Sequence, residues 1–257
     1  MGKIVAVANQ KGGVGKTTTC VNLCAALTDL GARVLLCDMD PQSNSTTGMG
    51  VDKNKPTTNI YNVLIEGIDA LEAIRKTPYG DILPANKILS GAGVELVTMA
   101  KREFVLRSVL DTVRDNYNFI LIDCPPSLEM LTLNSLCAAN TVLIPVQCEY
   151  FALEGLSDLM TTIRMIKKSL NPALDIEGVL LTMYDSRTNF SPQVAAEIKK
   201  FFSRKVYSIS IPRSVRIAEA PSHGQPVIKY DFSSRGSLAY IELAKEFLRR
   251  NGARKTK

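Results

Sequence analysis

Lys11-Gly-Gly-Val-Gly-Lys-Thr-Thr18 follows directly on the apolar run Lys3-Ile-Val-Ala-Val-Ala8. The order is buried strand, glycine-rich loop, helix. Gly12, Gly13 and Gly15 let backbone N–H groups around Val14 converge on one point with no Cβ in the way. The helix that follows turns its unpaired N–H groups and the positive end of its dipole toward that point. Such a loop is built to hold a nucleoside triphosphate. Lys16 would place an ammonium on the β- and γ-phosphates, and the Thr17 hydroxyl can ligate Mg²⁺, with Thr18 in the same first turn. The usual phosphate loop has a glycine where Gln10 stands here, and a second lysine, Lys11, sits beside that position.

Two further apolar runs end in carboxylates. Arg33-Val-Leu-Leu-Cys-Asp38 leads into Met39-Asp40-Pro41-Gln42, and Asn118-Phe-Ile-Leu-Ile-Asp123 leads into Cys124-Pro125-Pro126-Ser127. Carboxylates at the C-terminal ends of strands stand where ligands bind in open α/β sheets. Asp123 would hold Mg²⁺ through water, because this cation keeps much of its hydration shell. An aspartate after a strand can also simply cap a turn, a reading that suits Asp38 better than Asp40.

The loop Lys-Gly-Gly-x-Gly-Lys-Thr is the deviant Walker A motif. With the two aspartate-ended strands, it makes the chain resemble the ParA/MinD family of P-loop ATPases, over nearly its whole length. The resemblance is greatest to the short, chromosomal (Soj-type) branch, since the glycine loop so near residue 1 leaves no room for the helix-turn-helix extension of some plasmid relatives. It implies ATP and Mg²⁺ as cofactors. It implies that Lys11 reaches across an ATP-dependent homodimer to the partner's phosphates, and that Asp40 positions the attacking water. Ser210-Ile-Pro-Arg-Ser214 resembles the family's adenine-side segment, with Pro212 and Ser214 lining the base, although the family often has Asn at the latter position.

The chain has 257 residues, 46% of them hydrophobic, enough for a full core as one domain over 1–257. No run of 18 apolar residues and no leader precedes the first strand, so a protein that stays in the cytoplasm is expected. Six cysteines lack Cys-x-x-Cys spacing and read as reduced, mostly buried thiols. Strands are expected near 4–8, 33–38, 94–98, 118–123, 141–146, 176–183 and 206–211. Helices are expected over 16–30, 103–116, 128–139, 151–170, 191–202 and 236–250. This alternation predicts an α/β fold with a mostly parallel, twisted sheet flanked by helices on both faces. Residues 42–93 break the rhythm and read as loops around a short helix near 68–76.

Charge is segregated. Residues 187–257 carry 15 Lys and Arg against 5 Asp and Glu, while the rest carry 16 against 20. Arg187, Lys199, Lys200, Arg213, Arg216 and the tail Asn251-Gly-Ala-Arg-Lys-Thr-Lys257 contribute to it, with no aromatic platform between them. A basic third of this kind suits duplex phosphates without sequence readout. The resemblance implies non-specific double-stranded DNA binding by the ATP dimer, through Arg187 and Arg216, association with the nucleoid, and stimulation of hydrolysis by a ParB/Spo0J-type centromere-binding partner. Two other readings remain open. Leu238, Ile241, Leu243 and Leu248 with the basic tail could form an interfacial helix of MinD type, but Leu238, Ile241, Ala244 and Leu248 also have the spacing of a helix packed on a sheet. Cys124 beside Asp123 leaves room for a relative of the nitrogenase iron protein.

Overall fold

The computed structural model describes residues 1–252 apart from Pro56, Tyr150, Phe151 and Asn189. The basic tail beyond Gly252 and the first residue of the helix expected at 151 lie outside the described residues. The strands are β1 (Lys3–Val7), β2 (Val34–Asp38), β3 (Arg75–Thr77), β4 (Gly80–Leu83), β5 (Phe119–Asp123), β6 (Thr141–Gln147) and β7 (Asp175–Thr182). The helices are α1 (Lys16–Asp29), α2 (Asn44–Gly48), α3 (Ile60–Ile65), α4 (Ala70–Ala73), α5 (Leu89–Val97) and α6 (Val105–Val113). They continue with α7 (Met130–Ala138), α8 (Ala152–Ser169), α9 (Phe190–Phe202), α10 (Val215–Glu219), α11 (Val227–Tyr230) and α12 (Arg235–Arg250).

The strands form one sheet in the order β3-β4-β2-β5-β1-β6-β7, parallel throughout except for the β3–β4 hairpin at one edge. Side chains of β1 alternate between two cores, as strand geometry requires. Ile4 and Ala6 face the core covered by α3 and α5–α9, while Val5 and Val7 face the core covered by α1, α11 and α12. Both faces are therefore sealed, which is why β1, β2 and β5 read as continuous apolar runs. The chain order reverses on either side of β1, and the glycine loop leaves the sheet at that switch point.

Several expectations fail locally. The run at 94–98 is helix, not strand: α5 buries only Leu89, Ala92 and Leu96 and leaves Val94 and Val97 exposed. The true strands of that region are β3 and β4, and the helix near 68–76 shrinks to the four residues of α4. Residues 206–211 run beside β7 but make only isolated bridges, because the Ser208 N–H donates to the Glu246 carboxylate at 3.1 Å instead of to a strand. On α12 the buried stripe is Tyr240, Leu243, Ala244 and Phe247, packed toward α1, and Leu238 is exposed. No helix among the described residues is long and apolar enough to cross a membrane.

Candidate functional site

Parallel register sets the site. Val7 of β1 and Asp38 of β2 both lie opposite Asp123 of β5, so the glycine loop and two carboxylates meet at neighbouring strand ends. The loop turns through Gly13 at φ +75° and Gly15 at φ +89°, backbone that a side chain would strain. Gly15 precedes α1 with no side chain capping the helix, so its first N–H groups stay directed at the loop's concave side. Thr182, at the end of β7, braces the loop by donating its hydroxyl to the Val14 carbonyl at 2.8 Å.

The ammonium of Lys16 donates to the Lys11 carbonyl at 3.0 Å, inside the loop. Its side chain is buried, and that burial lowers its pKa against the pull of Asp123 and Asp40. Lys11 donates its N–H to Asn9 Oδ1 at 3.1 Å and forms an ion pair with Glu149. Gly12 and Gly13 are exposed at the rim, and nothing lies within 4 Å of where a Cβ on either would sit.

Asp123 is fully buried. Ser45 Oγ donates to its Oδ2 at 2.5 Å, the Thr17 hydroxyl approaches the same carboxylate, and Oδ1 is buried without a hydrogen-bond partner of normal geometry. Burial pushes its pKa up to about 6. An orphaned carboxylate oxygen beside a threonine hydroxyl and facing a phosphate loop fits a hydrated Mg²⁺. Asp38 is equally buried and is pushed up to about 7, first by burial and then by Asp123. It is anchored by Thr46, whose N–H and hydroxyl donate at 2.9 and 2.7 Å, and it accepts the Asp40 N–H at 3.1 Å. Asp40, also buried, accepts the Gln42 N–H at 2.9 Å, so it too caps its turn. Both aspartates thus carry the turn-capping role that the sequence reading favoured for Asp38 over Asp40.

Sequence reasoning missed Asn9, Ser45, Thr46, Glu149 and Thr182. Ser45 and Thr46 fall in the polar stretch read as loop, and only their register against Asp38 and Asp123 reveals them.

The remaining residues lie farther out. Pro212 bridges Tyr184, and half-buried Ser214 precedes α10 without capping it. Arg187 is exposed and forks onto Asp185 at 2.9 and 2.8 Å, holding that carboxyl down to about 2. Arg216 pairs with Glu219 at 3.0 Å and with Asp231 at 3.3 Å. Lys199 and Lys200 are exposed on α9, the latter paired with Glu197. All six cysteines are free and buried, and burial pushes the Cys124 thiol up to about 12.

A glycine loop at the switch point of a parallel sheet, flanked by two strand-end carboxylates, defines a P-loop nucleotide-binding protein. Residues 2–176 match the AAA domain family. The chain is 54% identical over 248 residues to the sporulation initiation inhibitor protein Soj of Bacillus subtilis, covering 96% of this chain and 98% of that one. It is 49% identical to the chromosome partitioning protein ParA of Caulobacter vibrioides, covering 99% and 97%. Among solved structures, cobyrinic acid a,c-diamide synthase from Mycobacterium smegmatis, with bound ADP and magnesium, superposes with a TM-score of 0.87 at 38% identity, covering 99% of this chain and 98% of that one. The chain belongs to the ParA/Soj family of chromosome-partitioning P-loop ATPases.

Proposed function

We propose that the chain, as a single ATPase domain over 1–257, is a nucleotide-timed DNA-partitioning switch. The observation that carries this reading is the meeting of Lys11, Lys16, Asp40 and Asp123 around one glycine loop. ATP would lie along Gly12–Thr18 with its base toward Pro212 and Ser214. Mg²⁺ would be held by Thr17 and, through water, by Asp123, where it supplies charge to the phosphates. The ADP and magnesium in the M. smegmatis structure support both ligands.

Lys16 neutralises the β- and γ-phosphates within its own protomer. Lys11 sits at the loop's exposed rim, next to two glycines with open space around them, where a second protomer can dock face to face. There it would reach the partner's phosphates and stabilise charge developing during transfer, so that hydrolysis requires the dimer. Asp40 would orient the attacking water, its carboxylate steadied by the Gln42 N–H.

The dimer would join two basic surfaces into one bivalent face for duplex phosphates, in the cytoplasm and on the nucleoid. Arg187, Arg216, Lys199 and Lys200 supply it. Lys200 and Arg216 are paired with the exposed carboxylates of Glu197 and Glu219, and Arg187 with the half-buried Asp185; pairs at this surface are weak enough to be exchanged for phosphate. A ParB/Spo0J-type centromere-binding protein would trigger hydrolysis and release; the relatives' names support the partitioning role that such a partner would serve.

The test is molecular size and duplex co-sedimentation measured with ATP, ADP and no nucleotide. Dimer and DNA binding are expected with ATP alone. Arg187→Ala combined with Arg216→Ala removes two arginines from each protomer, so it should leave the dimer intact and take up to roughly four units from the slope of log affinity against log salt. Equal DNA binding without nucleotide, or an unchanged salt slope in the double variant, refutes the reading.

A further inference from the structure

Lys11 is held at three points by its own chain. Its N–H donates to Asn9 Oδ1 at 3.1 Å, its carbonyl accepts from the Lys16 ammonium at 3.0 Å, and its own ammonium is paired with Glu149. The topology makes this last contact available. β1 and β6 are parallel neighbours, with Val7 opposite Leu143, and the Ala8 N–H donates to the Leu143 carbonyl at 3.1 Å. Asn9 Nδ2 then donates to the Pro145 carbonyl at 2.7 Å. The loop after β1 is thereby fastened along the end of β6, and the turn after β6, closed by Glu149 N–H to Gln147 O at 2.9 Å, brings Glu149 over it. The two side chains are 39% and 35% exposed, so the pair lies at the mouth of the site and not in the core.

We propose that Glu149 is an intramolecular latch, which keeps Lys11 folded onto its own protomer until a triphosphate is loaded. The proposal rests on the reading that Lys11 acts across a dimer. The three ties connect the latch to the ligand. A bound triphosphate competes with the Lys11 carbonyl for the Lys16 ammonium, and so removes one tie. The γ-phosphate in a facing protomer then competes with Glu149 for the Lys11 ammonium, and it offers more negative charge than a carboxylate. A facing protomer with ADP, or with no nucleotide, offers less, and the latch holds. Glu149 thus sharpens the distinction between ATP and ADP without touching either.

The size of the effect follows from the pair's exposure. A pair at a partly exposed position shifts an equilibrium by up to about fivefold. A symmetric dimer must open two of them, so the latch raises the dimer dissociation constant by up to about 25-fold.

The experiment measures light scattering of the full chain against protein concentration, with saturating ATP and Mg²⁺ and separately with ADP. Glu149→Gln keeps the shape and removes the charge, and is expected to dimerise with ATP at about 2- to 25-fold lower concentration than the parent. The gain should shrink in high salt, which screens the pair in the parent. Glu149→Ala, which keeps no acceptor, should gain at least as much. A parent that dimerises with ATP while neither variant gains overturns the latch and leaves the dimer reading intact. A parent that stays monomeric with ATP overturns the dimer reading itself.

Discussion

Asp38 and Asp40 stand two residues apart, both buried, at 0% and 8% exposure. Asp40 is placed to act on water, so its removal should spare ground-state binding and damage the transition state. Asp40→Ala is expected to bind ATP near the parental affinity and to hydrolyse it about 10²- to 10⁴-fold more slowly, leaving dimers trapped on DNA in a sedimentation assay. Parental turnover would remove Asp40 from that role. Asp38 lies opposite Asp123 on the neighbouring strand, and burial raises both carboxyls, to about 7 and about 6. A carboxyl raised in the folded state stabilises the fold below its unfolded pKa, and that contribution is lost as pH rises through the folded value. Between about pH 4 and pH 7 the nucleotide-free parent should therefore lose stability relative to Asp38→Asn, which cannot ionise. The gap in melting temperature should widen by roughly 2–4 °C for each kcal/mol of that difference. A gap that stays constant with pH, followed by calorimetry, would contradict the raised pair.

Elements differed in how much of themselves the sequence disclosed. β1, β2 and β5 were legible because both faces are buried, so apart from Lys3 at the start of β1 every residue is apolar until the Asp that ends β2 and β5. The phosphate loop was legible because its glycines and lysines have little other use at that spacing. α5 misled because Val94-Glu-Leu-Val-Thr98 has strand-like β-branched residues, and tertiary packing through Leu89, Ala92 and Leu96 overrides that propensity. β3 and β4 hid because they are three and four residues long and join through Gly80 at φ +117°, a turn no apolar pattern announces. Ser45, Thr46 and Glu149 were invisible for another reason. Their roles come from which strand ends lie side by side, which local sequence does not encode. At this scale the close approach of 206–207 to β7 is also testable. A Cβ on Gly178 would meet the Tyr207 ring at 2.5 Å and the Lys205 carbonyl at 2.8 Å. Gly178→Ala should cost about 1–3 kcal/mol in urea unfolding while leaving the nucleotide site intact. A neutral substitution would mean that the segment yields easily.

For the whole molecule, the question is what one protomer lacks. Gly12 has open space where a side chain would go, and its backbone needs no left-handed turn. Gly12→Val should therefore fold, and it should bind ATP as the parent does. The added isopropyl group would project from the rim toward a second protomer. Overpacking by about 1–3 kcal/mol on each side should weaken the ATP dimer on the order of 30-fold or more. A parental dimer in light scattering would place the contact between protomers somewhere other than this rim.

The strand order also dictates when the site can come into being. β1 emerges first during synthesis, yet its sheet neighbours are β5 and β6, more than a hundred residues downstream. Until those strands exist, the glycine loop hangs from an unpaired strand, and Asp123, Asn9's partner Pro145 and the brace from Thr182 are all missing. Non-local pairings of this kind close late because the entropy of the intervening chain is lost before any contact compensates it. Nucleotide therefore cannot act as an early scaffold on the ribosome. A nascent chain stalled before β6 should show no ATP protection from protease, and protection should appear abruptly once β7 has cleared the exit tunnel.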